Sequence, residues 1–239
     1  MKQRAIVLFC SVAAACFSAP AMADEGDAAP FKLTAGLYDY GSSQGKDLNL
    51  RWRGHDSDAW VGYYQDPDFG KQWRAGLDHS FTLNDWAQLQ PSLQLATQGF
   101  IGGSINLQLG TTWYTVMGLG RTNVRPYFNL NFDPNDAITA GVGWQGAQGQ
   151  NLSLTLIADD RLGTGQRHVH ALARWPVNGG DRLTVDLLYK QGMGDAGYVY
   201  AWGLSVAYDF PHWFIRLTRD GQQNFSTQDA VRLAVGTRF

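Results

Sequence analysis

Ala230-Val-Arg-Leu-Ala-Val-Gly-Thr-Arg-Phe239 alternates small or charged residues with apolar ones almost without a break. Successive side chains of a strand point to opposite faces. Val231, Leu233, Val235, Thr237 and Phe239 therefore share one side, and Ala230, Arg232, Ala234, Gly236 and Arg238 the other. One face suits hydrocarbon and the other suits water. A tilted strand of about 9 to 11 residues is long enough to cross a bilayer.

The same grammar runs through the chain. It carries 9 Trp, 10 Tyr and 28 Gly, as expected of a barrel with one polar face, one apolar face and aromatic girdles. A soluble β-sandwich or soluble barrel would also alternate. The choice between them rests on the aromatic density, the leader described below and the last residue. A chain ending in an alternating strand with a C-terminal Phe resembles the bacterial outer-membrane β-barrels. That resemblance implies a Gram-negative outer-membrane location, lipid around the barrel, and an insertion machinery that reads the strand ending in Phe239.

Lys2 and Arg4 precede the apolar run Ala5 to Phe17, and Ala21-Met-Ala23 is a small-x-small cleavage pattern. Residues 1 to 23 are therefore expected to be a secretory signal peptide, 24 to 30 a short acidic periplasmic tail, and 31 to 239 one barrel domain. A lipoprotein reading of Cys16 lacks a Leu at the head of Ala13-Ala14-Ala15. Cys10 and Cys16, the two cysteines, both fall in the leader, so no disulfide or thiol chemistry is expected. The mature chain would hold 17 basic and 21 acidic side chains, which gives no pull toward nucleic acid. No apolar stretch after the leader approaches the ~20 residues a membrane helix needs.

The expected strands are 31–40, 46–54, 58–66, 71–83, 86–98, 103–121, 124–132, 136–145, 150–159, 167–176, 181–191, 197–209, 212–219 and 228–239, with 103–121 open to a break near Trp113. Turn chemistry separates several of them. Asp133-Pro-Asn-Asp136, Val177-Asn-Gly-Gly-Asp181 and Asp209-Phe-Pro-His212 place Pro, Gly or Asn where a tight reversal needs them. The fold expected is an all-β, transmembrane, antiparallel up-and-down barrel of 12 to 14 strands with short turns. The lower number holds if 97–123 or 150–159 folds into the lumen.

Alternation also sorts the interior. Leu183, Val185, Leu187 and Tyr189 oppose Arg182, Thr184, Asp186 and Lys190, and Gln88, Gln90, Ser92 and Gln94 oppose Leu89, Leu93 and Leu95. By the same rule Arg51, Arg53, Arg74, Arg125, His168, His170, Arg174, Arg216, Arg232 and Arg238 turn inward, since an Arg or Lys facing lipid at the midplane costs about 2–4 kcal/mol. Against these stand Asp78, Asp159, Asp186, Asp209 and Asp220. An excess of cations inside an acidic protein is expected to favour small anionic or acidic-sugar solutes. Arg–Asp pairing that plugs the interior is the competing reading, and it would make the barrel a closed structural or assembly element of an envelope complex.

Two further stretches, Gly76-Leu-Asp-His-Ser-Phe-Thr-Leu-Asn-Asp-Trp-Ala-Gln-Leu-Gln-Pro91 and Arg125-Pro-Tyr-Phe-Asn-Leu-Asn-Phe-Asp-Pro-Asn-Asp136, resemble strand-turn-strand segments of the small monomeric porins for acidic oligosaccharides. That resemblance implies twelve strands and an Arg-lined lumen, and segment 97–123 has no counterpart in it. A lipid-modifying enzyme is the remaining alternative. His79 and Ser80 are adjacent and point apart on a strand, so they make no nucleophile–base pair. His168 and His170 share a face, as two metal ligands would, but no third ligand is evident. Gly192-Met-Gly-Asp-Ala-Gly197 leads into a strand rather than a helix, which excludes a dinucleotide site. No catalytic residue and no cofactor are expected.

Overall fold

The computed structural model describes residues 29–130, 136–177 and 180–239. Fifteen strands follow in chain order. They are β1 (Phe31–Asp39), β2 (Gln44–Arg53), β3 (Ser57–Asp66), β4 (Gly70–His79), β5 (Phe81–Asn84), β6 (Ala87–Ala96), β7 (Phe100–Gly110) and β8 (Trp113–Thr122). The second half holds β9 (Ala137–Gln145), β10 (Asn151–Asp159), β11 (Arg167–Pro176), β12 (Arg182–Gly194), β13 (Gly197–Asp209), β14 (Trp213–Asp220) and β15 (Ala230–Arg238). β4 and β5 both pair with β6 and form one stave interrupted at Ser80, so the wall has fourteen staves. Each pairs antiparallel with its chain neighbours, and β1 pairs with β15 to close the barrel.

Closure follows from the chemistry of the solvent. In hydrocarbon an unpaired backbone N–H or C=O costs several kcal/mol, so a spanning sheet cannot keep an edge. The seam is paired from Lys32↔Arg238 to Asp39↔Val231. Phe31 and Phe239 complete it by exchanging backbone hydrogen bonds of 3.0 Å in both directions.

The outer face is apolar in the expected register. Leu183's neighbour Leu187, and Val231, Leu233 and Val235, are exposed, whereas Ala230, Ala234 and Lys190 on the opposite parity are buried. Rings gather at both rims of this band. Trp73 pairs with Tyr63 at one rim, and Phe81, Trp86, Trp113, Trp175 and Trp213 lie toward the other. From Trp73 to Phe81 the stave runs eight residues, about 20 Å of height at ~3.3 Å per residue and the usual barrel tilt.

The two ends differ. The end that carries Phe31 and Phe239 has short turns such as 111–112 and 210–212. The other has the longer connections 123–136, 160–166 and 221–229. Short periplasmic turns and longer outer loops are the usual polarity of such barrels.

The wall settles the alternatives left open and corrects one expected strand. Segment 103–121 is two strands, β7 and β8, reversed at residues 111–112, where Gly110 holds φ +98 that other residues rarely adopt. Residues 124–130 of the expected strand 124–132 are not a strand; 131–132, with 133–135 of the expected turn, lie outside the described residues. Val124 sits at φ +57, a costly conformation for a β-branched residue, and Pro126 follows it. Tyr127, Asn129 and Leu130 are buried on the inside. Neither 97–123 nor 150–159 folds inward, since both supply wall strands. The count of fourteen thus survives through one strand gained and one lost.

In the folded barrel a Thr184→Cys variant should react with a water-soluble thiol reagent that enters the interior. Val185→Cys should react only with a lipid-soluble one. The reverse pattern would put the register off by one.

Candidate functional site: the barrel interior

Inside, the strands divide into two unlike walls. β6 to β9 carry a single charged residue, Arg121, which is outward and held by Asp160 at 2.7 Å. The inward positions of β6 and β7 are mostly amides and hydroxyls, and those of β8 and β9 mostly small. Gln88, Gln90, Ser92 and Gln94 lie beside Ser104, Asn106 and Gln108, with Ser92 and Ser104 bonded at 2.7 Å. The remaining strands hold the charges.

Near the end that carries the termini, Lys32 lies between Arg51 and Arg238 across the ladders, and its ammonium sits 4.0 Å from the centre of the Phe214 ring. Arg216, Arg238, Asp209 and Arg51 are the charges that act on it. Arg238 is paired with Asp209 and lies 5.7 Å from the same ring. Gly236 makes room for Phe214, because a Cβ there would collide with the ring and with the Leu33 carbonyl. Arg51 and Arg53 share one carboxylate, Asp58, at 3.1 Å each. Arg182 stands across from Asp209, and Arg174 across from Thr184. This mouth is rich in guanidinium and sparing of carboxylate.

At mid-height two guanidiniums converge on one carboxylate. Asp47 accepts from Arg74 at 2.8 Å, and the Arg232 guanidinium lies 3.6 Å away. Arg232 also lies over the Tyr38 ring at 4.9 Å. Gly62 lets Arg74 lie flat on the wall, since a Cβ there would stand 3.0 Å from its Nε. Across the barrel, His170 Nδ1 is 3.0 Å from Asp186.

Two inward loops cross the far end. Gln72 of β4 clasps the backbone of Phe128 twice, donating to its carbonyl at 2.9 Å and accepting from its N–H at 2.8 Å. Phe128 stacks on Tyr64 at 4.5 Å, Tyr127 stacks on Phe100 at 4.3 Å, and Gln94 bonds the Tyr127 hydroxyl. Tyr40 and Tyr64 share a 2.7 Å hydroxyl bond beneath them. The second loop, between β14 and β15, places Phe225 against His168 at 5.2 Å. The Lys190 ammonium, 5.8 Å from the Phe225 ring, is gripped by Asp220 at 2.7 and 2.8 Å. Asn224 reaches the Asn129 carbonyl at 3.5 Å and so ties the two loops together.

The residues expected inside therefore fall into separate groups. Arg51, Arg53, Arg182 and Arg216 sit toward the mouth near the termini. Arg74 and Arg232 share Asp47. His170 faces Asp186, while Lys190 and His168 lie buried under Phe225. Arg125 is exposed on the 123–136 loop rather than on a strand, because the segment that carries it turns off the wall. Three inward carboxylates, Asp47, Asp58 and Asp66, were missing from the expected balance, so the cation excess is smaller than ten against five. Sorting 58–66 by parity would have found two of them, since Asp58, Trp60, Tyr64 and Asp66 alternate with Ala59, Val61 and Tyr63.

His79 does hydrogen-bond a serine, but across the ladder. Its Nδ1 lies 2.7 Å from Ser57 Oγ on the outer face, with Phe81 packed on the ring. Among the described residues no group of three His, Cys, Asp or Glu side chains could hold a metal ion.

No family model matches the chain, and no curated protein does. Solved structures are similar in fold. The KdgM porin shares 8% identity at a TM-score of 0.50, covering 87% of this chain and 99% of that one. A substituted Rh. blastica porin shares 10% at 0.50, covering 87% and 98%. The NanC porin shares 8% at 0.49, covering 87% of this chain and all of that one. The fold is thus the closed antiparallel barrel of outer-membrane porins.

Replacing Asp47 by Asn leaves Arg74 and Arg232 facing each other without their carboxylate. Breaking a buried pair from one side costs about 3–5 kcal/mol. The urea midpoint of the lipid-refolded barrel should fall accordingly, and an unchanged midpoint would mean that the triad contributes nothing to stability.

Proposed function

We propose that this chain is an outer-membrane channel that passes small anionic or acidic-sugar solutes. The observation that carries the reading is the contrast between the two walls. A solute crossing the barrel meets Lys32, Arg51, Arg216 and Arg238 on one side and the amides of β6 and β7 on the other. Guanidinium offers a planar fork to a carboxylate, and a wall of Gln, Asn and Ser exchanges hydrogen bonds with hydroxyls. A low-dielectric wall around fixed positive charge raises the local concentration of anions. The residues proposed to line the path are Arg51, Arg53, Arg182, Arg216 and Arg174, with Arg74 and Arg232 at mid-height. Phe239 and its strand serve as the segment read by the insertion machinery, and residues 1 to 23 as the cleaved leader. The proposed chemistry is passage alone, without a covalent step or a cofactor.

A second reading draws on the loops. Phe128 and Leu130, packed against Tyr40 and Tyr64, and Tyr127, stacked on Phe100, fill the far end with largely apolar side chains, as a closed structural barrel would. Conductance separates the two.

In planar bilayers at low salt the purified barrel should conduct, with a reversal potential on the anion-selective side of zero under a salt gradient. Arg51→Gln with Arg216→Gln should move that potential toward cations and leave the barrel folded, because lumen positions tune selectivity more than stability. At molar salt, where the Debye length is about 3 Å, the preference should fade. A silent wild-type barrel would select the closed reading, and a conducting one without anion preference would overturn the proposed role of the arginines.

A further inference from the structure

The outer surface carries one constellation twice, both times at the rim with the longer loops. On β3, the Tyr63 hydroxyl donates to Gln65 Oε1 at 3.0 Å, and its ring packs on Trp73 of the next strand at 4.8 Å and 53°. On β12, the Tyr189 hydroxyl donates to Gln191 Oε1 at 3.1 Å, and its ring packs on Trp202 of the next strand at 4.9 Å and 51°. In each case a cation stands directly across the ladder from the glutamine. Lys46 and Lys71 flank Gln65 on either side, and Arg167 faces Gln191. Lys46, Lys71 and Arg167 are all exposed on outward positions.

Below each row the composition changes in the same order. Under Lys46, Gln65 and Lys71 come Leu48, Tyr63 and Trp73, and then Leu50, Val61 and Ala75. Under Arg167, Gln191 and Tyr200 come Val169, Tyr189 and Trp202, and then Ala171, Leu187 and Leu204. Charge, amphipathic ring and hydrocarbon-facing side chains thus succeed one another over two residues each. An anionic amphiphile in the adjoining leaflet has the same order: phosphate, polar linkage, acyl chain. The other outward strand cations of this rim are already neutralised, Arg121 by Asp160 and Arg219 by Asp229. Lys46, Lys71 and Arg167 have no ion-pair partner among the described residues. The glutamine is held with its carbonyl toward the tyrosine, which leaves its amide N–H groups to donate outward between the cations.

We infer that these two patches bind the phosphate groups of a phosphorylated glycolipid in the outer leaflet. The Lys46–Gln65–Lys71 row is the stronger, because two ammonium groups two strand spacings apart, about 10 Å, straddle one amide donor. Tyr63 and Trp73 lie at the level of the sugar and ester groups, where such rings settle in membranes. The inference rests on the outer-membrane reading and on the loop-bearing rim facing outward. It is independent of what the lumen passes.

The test uses the full barrel in nanodiscs of phosphatidylcholine, titrated with bisphosphorylated lipid A and, separately, with the same disaccharide lipid stripped of phosphate and with inorganic phosphate. Wild type should bind the bisphosphorylated lipid in preference to both. Lys46→Gln with Lys71→Gln should weaken that binding by about 25-fold, about fivefold per charge removed. Lys46→Arg with Lys71→Arg should retain it. Equal binding of phosphorylated and stripped lipid would overturn the site, as would unchanged binding by the Gln variant. Binding of inorganic phosphate as tight as that of the lipid would assign the patch to a free anion instead. Conductance of the wild-type barrel, read in parallel, keeps the two proposals apart. A conducting wild type that binds phosphorylated and stripped lipid equally defeats this site alone, and lipid selectivity in a silent wild type defeats the channel alone.

Discussion

Everything in this molecule depends on the seam between its first and last strands. Hydrocarbon offers no partner to a backbone amide, so fourteen staves stand in a bilayer only if the first finds the last. Phe31 and Phe239 mark the meeting point twice, through their reciprocal backbone bonds and through rings stacked at 5.8 Å. The pairing Ala35↔Val235 and its neighbours then set the parity of every strand that follows. Because the side-chain period is two, one residue of slip of β15 at the seam would turn Arg232 and Arg238 toward lipid.

Parity settled, the interior has to accommodate long cationic side chains in a narrow bore. It does so with glycine opposite arginine and with carboxylates used sparingly. Gly62 clears space for Arg74, and single acids serve two bases, as Asp47 serves Arg74 and Arg232 and as Asp58 serves Arg51 and Arg53. A carboxylate shared in this way leaves its bases only part-neutralised while removing the worst of their repulsion. The charge is graded along the axis. The mouth near the termini is cationic, the middle is paired, and the far end is packed with Tyr40, Tyr64, Phe128 and Phe225.

Much of this was legible without coordinates, because a membrane strand is written in a two-letter alternation. The faces of 181–191 and 230–239 could be assigned residue by residue. What alternation cannot convey is partnership over distance. Asp47 and Arg74 lie 27 residues apart and meet only because β2 and β4 flank β3. The loop after β8 misled for a related reason. Tyr127, Phe128 and Leu130 are as apolar as any strand, yet they serve an interior aromatic cluster, and only Pro126 and the broken period at Val124 hinted that the chain had left the wall. The outer Tyr–Gln–Trp groups were equally hidden, since each needs two strands in register.

The account stands or falls on the closing register, and a cysteine pair across the seam tests it most directly. Antiparallel partners lie about 4.5–5.5 Å apart at Cα, inside the range a disulfide spans. Ala35→Cys with Val235→Cys, oxidised in the folded barrel, should form an intramolecular crosslink in high yield. Ala35→Cys with Leu233→Cys should not. Efficient crosslinking of the second pair in preference to the first, or of neither, would contradict the closure and every inward assignment built on it.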